Sequence, residues 1–489
     1  MMKNIKYIVL SLLLTLGACD NVDFGSTNEN PNGAAEPYTA DLMAGAMSRF
    51  STVTGREYLM KPTLLIQYQT QVTYTDEMRY GEVASSWYSY YVQTLSNLQL
   101  VVDICSDPAK ITPAVITQGN PTNQIAVAKI FQAVIFKRVT DTWGSIPYSE
   151  ALKGLDLISP KYDTQEDIYK GLIASVKASR DMLVMSGPAP LGPIGDNIYG
   201  GDVVKWKKFA NSLIMQMSLQ LSKKYPLAGG YAANEFNAAL NNAAGVITAV
   251  GDEAWFTYTA DFQNPFVANR IPDYFLSKEF TDGLKGLGTT TNTALDGRIN
   301  VFARYPARDG VPYGYKNGSG AGKTGMSLKI WKLDAPLPLM TAAYTYLNRA
   351  EAAALGWTTE IPATMLTNGI IASYATLDAH YATTISAGAA AYAAARVASI
   401  AGAVTVRRVI AEEKWVALFP SGFDAWAEWR RTNYPTLFPA TDFLNNGQIP
   451  RRYIYPTEES SLNAAAYATG VSSLSPATDN NTSKVWWDQ

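Results

Sequence analysis

The sequence predicts a mainly α-helical fold in which packed helices are interrupted by long, decorated loops. Two observations carry that prediction. Apolar residues recur at the three-and-four spacing of a helix in several segments, whereas alternating runs of β type are few and short. Three stretches, Ser186–Gly201, Arg304–Gly325 and the chain from Asn433 onward, are too long to be simple turns. Long ordered loops inside a compact fold usually serve binding or catalysis.

The helices follow in chain order. Val127, Ile130, Phe131, Val134 and Ile135 form one apolar face, with Lys129, Gln132 and Lys137 opposite. Asp202 stands where an N-cap belongs, and Trp206, Phe209, Leu213 and Met217 line one side of the helix behind it. Lys223 and Lys224 suit the negative end of that helix, and Pro226 stops it. Leu339–Trp357 is rich in Ala and is closed by Gly356; Val406–Phe419 is a further helix. The Ala-rich run Ser386–Val404 packs as a helix rather than serving as a linker. Paired Ala-rich helices suggest tetratricopeptide-like packing, although no clean repeat of about 34 residues is present.

The N-terminus reads as an address. Lys3 and Lys6 precede the apolar run Tyr7–Leu16, which is too short to span a bilayer, so residues 1–18 are expected to be a signal peptide. Leu16-Gly17-Ala18-Cys19 resembles a bacterial lipobox, in which Cys19 becomes the lipidated first residue of the mature chain. Residues 19–37 are polar and rich in Asn, Gly and Pro, as a flexible tether would be. No break in composition divides residues 38–489, so a single body is expected, anchored to a membrane rather than threaded through it. Asp20 and Asp23 meet an acidic export signal only loosely.

Composition excludes several classes. A net charge of −2 leaves no basic footprint for nucleic acid. Cys105 is the only thiol besides Cys19, and His380 is the only histidine. Disulfides within the body and His-rich metal sites are therefore excluded, and no cofactor is expected. His380 reads as a surface or packing residue. The stretch Asn317–Gly325, "NGSGAGKTG", looks like a phosphate-binding loop but places Asn317 where the first Gly belongs, and the prolines after it forbid a long helix. A glycoside hydrolase would need two carboxylates about 5 to 9.5 Å apart across a cleft. Glu412/Glu413 and Glu458/Glu459 are only neighbours in sequence, and Arg408 and Glu412 have the spacing of a helix-surface contact.

Five segments resemble one family, the SusD/RagB outer-membrane lipoproteins of Bacteroidota. Val127–Leu152 carries a helix followed by D-x-x-G-x-I-P-Y-S-E-A, from Asp141 to Ala151. Gly201–Leu213 is similar to G-D-x-x-K-W-x-K-F-A-N-S-L, and Leu347–Trp357 to A-E-A-x-x-x-G-W. Glu412–Pro435 and Ile449–Asn463 match the W-x-x-x-R-R-T-x-x-P and R-R-x-x-Y-P-x-x-E-x-x-x-N signatures. One departure is "MQMSLQLS" (Met215–Ser222), where the family pattern carries arginines, so an ion pair is expected to change. The resemblance implies a tetratricopeptide-like helical scaffold. It also implies a place on the outer membrane, lipid-anchored and facing the exterior, and capture of a glycan or oligopeptide there as the lid of a SusC-like TonB-dependent transporter; a purely structural lid is the alternative. Asp141, Trp143, Arg451 and Arg452 are assigned to capping or buried ion pairs rather than to ligand.

Ligand capture calls for flat aromatic faces beside groups that read hydroxyls or backbone. Tyr74–Tyr91 offers Tyr74, Asp76, Tyr80, Trp87 and Tyr88. The loop Arg304–Gly325 offers Asp309, Tyr313, Tyr315 and Asn317, with Gly310, Gly314 and Gly318 expected to hold its rings outward.

Overall fold

The computed structural model describes residues 38–53, 59–81, 85–185, 189–401 and 403–489. The expected signal peptide, Cys19 and the tether lie outside the described residues. Thirteen helices of eight residues or more occur among those described. They are α1 (Thr39–Thr52), α2 (Ser96–Ser106), α3 (Pro121–Trp143), α4 (Gln165–Met182), α5 (Val203–Gln220), α6 (Tyr231–Leu240) and α7 (Lys278–Lys285). After them come α8 (Ala342–Ala354), α9 (Pro362–Tyr381), α10 (Ala389–Ala398), α11 (Ala403–Ala417), α12 (Gly422–Thr432) and α13 (Ala464–Ser472). Each of α1 to α5 packs on the next, ending at α6; α8 packs on α9 and α11, α9 on α10, and α11 on α12, while α8 also meets α5 and joins the two series. Stacked neighbouring helices of this kind bury a continuous core, as in tetratricopeptide arrays. None of the helices described is long and apolar enough to cross a membrane.

Local chemistry sets the helix ends. Asn120 accepts from Thr122 N at 2.9 Å and Pro121 occupies the first turn of α3. Asp202 caps α5 by accepting from Lys205 N at 3.1 Å, as its position in the sequence suggests. Thr164, Ser277 and Thr341 cap α4, α7 and α8 in the same way. Six short strands pair antiparallel in twos: β1 (Gln69–Gln71) with β5 (Tyr274–Leu276), β2 (Ile146–Pro147) with β3 (Tyr162–Asp163), and β4 (Ala254–Phe256) with β6 (Leu337–Met340).

Several expectations change in detail. The polar side of α3 is not a solvent face, because Gln132 and Lys137 are both buried. Lys137 Nζ pairs with Asp141 at 3.0 Å and approaches Asp424 at 3.7 Å. In α5, where the family pattern carries arginines, Gln216 Nε2 donates to Asp424 at 3.1 Å, so Lys137 supplies the cation that this carboxylate needs. Lys223 serves the end of α12 rather than of its own helix, donating to Arg430 O at 3.1 Å. The chain from Asn433 onward is not one long loop, since it includes α13. Arg408–Glu412 is not a surface contact: Glu412 is buried and also bonds Arg396. His380 stacks on Trp255 at 3.7 Å between ring centroids.

Family-motif residues form the stitching of the core. Asp141 accepts from Trp487 Nε1 at 3.0 Å and from Tyr169 Oη, and its carbonyl accepts from Arg430 Nη1 at 2.6 Å. Trp143 Nε1 donates to Ile454 O at 2.9 Å, while Arg452 pairs with Asp479 and Arg451 with Asp488. These contacts sew the end of the chain to α3. Two further networks are buried. Arg298 joins Asp296 to Glu413, which also bonds Arg396. Arg431 and Lys414 each pair with both Glu351 and Glu428, which ties α8, α11 and α12 together.

Burial alone would raise the Glu351, Glu413 and Glu428 carboxyls. The neighbouring guanidinium and ammonium charges more than reverse this and hold all three below the ordinary range. A carboxylate with a lowered folded pKa contributes stability that is complete above its unfolded value of about 4.3 and is lost as pH falls through the folded value. The urea midpoint is therefore expected to drop steeply from about pH 4.5 to about pH 2; a flat profile contradicts this account. Replacing Arg431 with Met leaves two buried carboxylates sharing one cation. Denaturation at pH 7 should show a loss of about 3–5 kcal/mol, and a loss below about 1 kcal/mol, the worth of a surface pair, contradicts the assignment.

Candidate functional site

Three loops meet at the open end of the β1–β5 pair. The first, residues 72–80, leaves β1 and turns over Asp273, a buried carboxylate that accepts from Thr73 N at 2.7 Å and from Tyr74 N at 3.1 Å. The second, residues 304–325, returns to the same strands through a bridge between Val311 and Ser277. The third comprises residues 438–445. Asp442 binds all three together. Its Oδ2 accepts from Lys316 N at 2.7 Å, its N–H donates to Gly314 O at 2.9 Å, and its carbonyl accepts from Arg79 Nε at 2.6 Å. Thr75 Oγ1 adds a bond to Lys316 O at 3.3 Å, and Leu444 N one to Arg79 O at 2.7 Å.

Five rings of these loops are exposed, Tyr305 and Phe438 among them, and the other three stand beside the anchoring carboxylates. Tyr74 is 49% exposed, Tyr315 44% and Phe443 49%. Each lies within two residues of a backbone group held by Asp273 or Asp442, so each stands on a fixed stem. The Arg270 guanidinium lies 4.4 Å over the Tyr74 ring, held there by cation–π attraction. Asp76, exposed, pairs with Arg79 at 3.1 Å, and Asn317 is exposed on the same loop as Tyr315. Asp309, farther along that loop, bonds Lys285 at 2.8 Å, and this bond holds its carboxyl below the usual range.

The other expected ring contacts fall elsewhere. Tyr313 is only 4% exposed, and its hydroxyl donates to Met78 O at 2.9 Å. Burial pushes its phenol well up. Tyr80 is buried too; its oxygen accepts from Ala440 N at 2.8 Å, and burial pushes its phenol up to about 12. The glycines around Tyr313 do not turn rings outward; they permit close approach of backbone. A Cβ at Gly310 would collide with the Ser277 carbonyl, and Gly314 has φ +83 with the Ala440 backbone against it. Trp87 is core, edge-on to Trp143 at 5.7 Å and Tyr162 at 5.6 Å. Tyr88, the next residue, is exposed.

Phe443, Arg270 and Asp442 were missed from sequence. "TDFLNNG" (Thr441–Gly447) did carry a signal, an aromatic set among turn formers. Nothing local marks Asp442 as a partner of residues more than a hundred positions away.

The "NGSGAGKTG" stretch cradles no phosphate. Thr324 is buried, its hydroxyl accepts from Tyr305 N at 2.9 Å, and Met326 bridges back to Ala303 instead of opening a helix. Glu412 and Glu413 are held by Arg298, Arg396 and Arg408, so neither carboxylate is free for acid–base work. Among the described residues no group of His, Cys, Asp and Glu is placed to hold a metal.

Comparison with known proteins agrees with this fold. A SusD-like family model described as "Starch-binding associating with outer membrane" matches residues 31–456. A chitin-binding protein is 24% identical with a TM-score of 0.76, over 92% of this chain and 100% of its own. A chitin-binding SusD homologue from Flavobacterium johnsoniae is 22% identical with a TM-score of 0.74, over 92% of this chain and 98% of its own. A SusD homologue from Bacteroides uniformis is 23% identical with a TM-score of 0.74, over 93% and 100%. No curated protein matches the chain. At these identities the solved structures establish the helical fold, and the family model extends over most of the chain: this protein belongs to the SusD-like family, whose description is one of binding at the outer membrane and not of catalysis.

Proposed function

We propose that this protein captures a glycan, or failing that an oligopeptide, at the cell surface and delivers it to a partner SusC-like TonB-dependent transporter that it covers as a lid. The single observation that carries the ligand part is the trio Tyr74, Tyr315 and Phe443, exposed on loops whose backbones are pinned by Asp273 and Asp442. Rings fixed in this way lose little freedom when a sugar stacks on them, and preorganisation converts contact into affinity. Asp76, Asn317 and the Arg270 guanidinium stand at the rim to read hydroxyl groups. The family description and the chitin-binding relatives make starch and chitin fragments the first ligands to try.

Calorimetry with maltoheptaose and chitohexaose tests the site. In Tyr74→Ala/Tyr315→Ala the affinity for whichever is bound should fall roughly 5- to 150-fold, taking about 1–3 kcal/mol for a stacked ring and 1.4 kcal/mol per tenfold. The melting temperature should move by less than about 2 °C, because exposed side chains stabilise little. Tyr313→Ala should do the reverse, losing about 3–5 kcal/mol of stability as a buried ring. Unchanged affinity in the double variant would place the site elsewhere.

The anchor has its own test. The proposal requires Cys19 to carry lipid, so Cys19→Ala should release the protein from the membrane fraction of cells. A variant that stays as firmly bound as its parent refutes lipid anchoring through this residue.

A further inference from the structure

Away from the three loops, a recess of about 460 Å³ opens where the chain following α5 meets α8, α11 and α12. Its walls include Ser222, Lys223, Glu351, Arg407, Arg431 and Tyr434. That volume lies in the range of small-molecule sites, about 300–1,000 Å³.

The donors on its walls are not all used. Arg431 is buried; its Nη1 bonds Glu351 and Ser222 Oγ, its Nη2 bonds Glu351 and Glu428, and its Nε bonds nothing among the described residues. That N–H is closed to a molecule in the recess, so Arg431 acts there through its charge and not through a hydrogen bond. Arg407 is exposed and has no ion-pair partner among the described residues. Tyr434 lies half-buried beneath the Arg408 guanidinium, 5.5 Å from its ring centroid, and its hydroxyl bonds nothing among the described residues.

Charge around the recess is also unbalanced. Glu351 and Glu428 are matched by Arg431 and Lys414. Asp488 faces both Lys223 and Arg451, so one of those cations and Arg407 remain as surplus positive charge. The carboxyl ends of α5, α8 and α12 add partial negative charge. At α12 it is already answered, because Lys223 and Arg451 both donate to the Arg430 carbonyl.

We propose that this recess binds a small oxyanion, a carboxylate or sulfate group of the kind an acidic sugar carries, through Arg407 and the Tyr434 hydroxyl, with the buried charge of Arg431 behind them. Guanidinium groups suit oxyanions because their N–H bonds match the geometry of two oxygens. This site is separate from the Tyr74–Tyr315 platform and does not depend on it.

Titration of the purified protein with sodium sulfate and with sodium glucuronate, at ionic strength fixed with chloride, tests the assignment. Saturable binding of at least one probe is expected, and Arg407→Ala should weaken it by tenfold or more, the worth of one charged hydrogen bond. Tyr434→Phe, which removes only an oxygen, provides a second comparison should Arg407→Ala alter the fold, and should weaken binding at least threefold. The Tyr74→Ala/Tyr315→Ala variant should bind both probes as the parent does. Tighter binding of glucuronate identifies a saccharide carboxylate as the natural group; binding of sulfate alone identifies a free or ester sulfate. Absence of saturable binding by either probe, or binding unaffected by both recess substitutions, overturns the proposal.

Discussion

A buried charge must be paired, and in this protein that requirement holds the helices in register. Glu351 in α8, Lys414 in α11, and Glu428 and Arg431 in α12 form a closed, buried ring of alternating sign. None of the four can leave without stranding the others, at a cost of several kcal/mol. Because Arg430 beside them bonds the Asp141 carbonyl, the ring is coupled to α3 and, through Asp141 and Trp487, to the last residues of the chain. Side chains that read in sequence as a family signature are here the fasteners of a helical stack.

That division of labour leaves the loops free to vary in chemistry while keeping their position. Asp273 and Asp442 hold backbone, and beside the held points Tyr74, Tyr315 and Phe443 face outward. Tyr74, Tyr315 and Phe443 are therefore replaceable without loss of fold. Their backbone partners are not.

The helical scaffold was legible because period and capping are local properties. Asp202 and the α3 stripe are read from a few neighbouring residues. Burial of Lys137 was not legible, because it depends on Asp424, a residue nearly three hundred positions away. The site divides in the same way. "YGY" shows two tyrosines in a glycine-rich loop, but only the packing of Ala440 against Gly314 determines that Tyr313 turns inward and Tyr315 outward. Asp76 and Tyr74 were placed with Trp87 by proximity in sequence, whereas the turn over Asp273 sends them to the loop of Tyr315. Phe443 entered only when residues from three distant segments met at Asp442.

The central claim is that helices carry the fold and the three pinned loops carry the ligand. Hydrogen–deuterium exchange of the protein with and without a saturating oligosaccharide tests it most directly. The account predicts added protection confined to residues 72–80, 313–318 and 438–445, with α8, α11 and α12 equally protected in both states. Protection gained on the helices instead, with those loops unchanged, would contradict it.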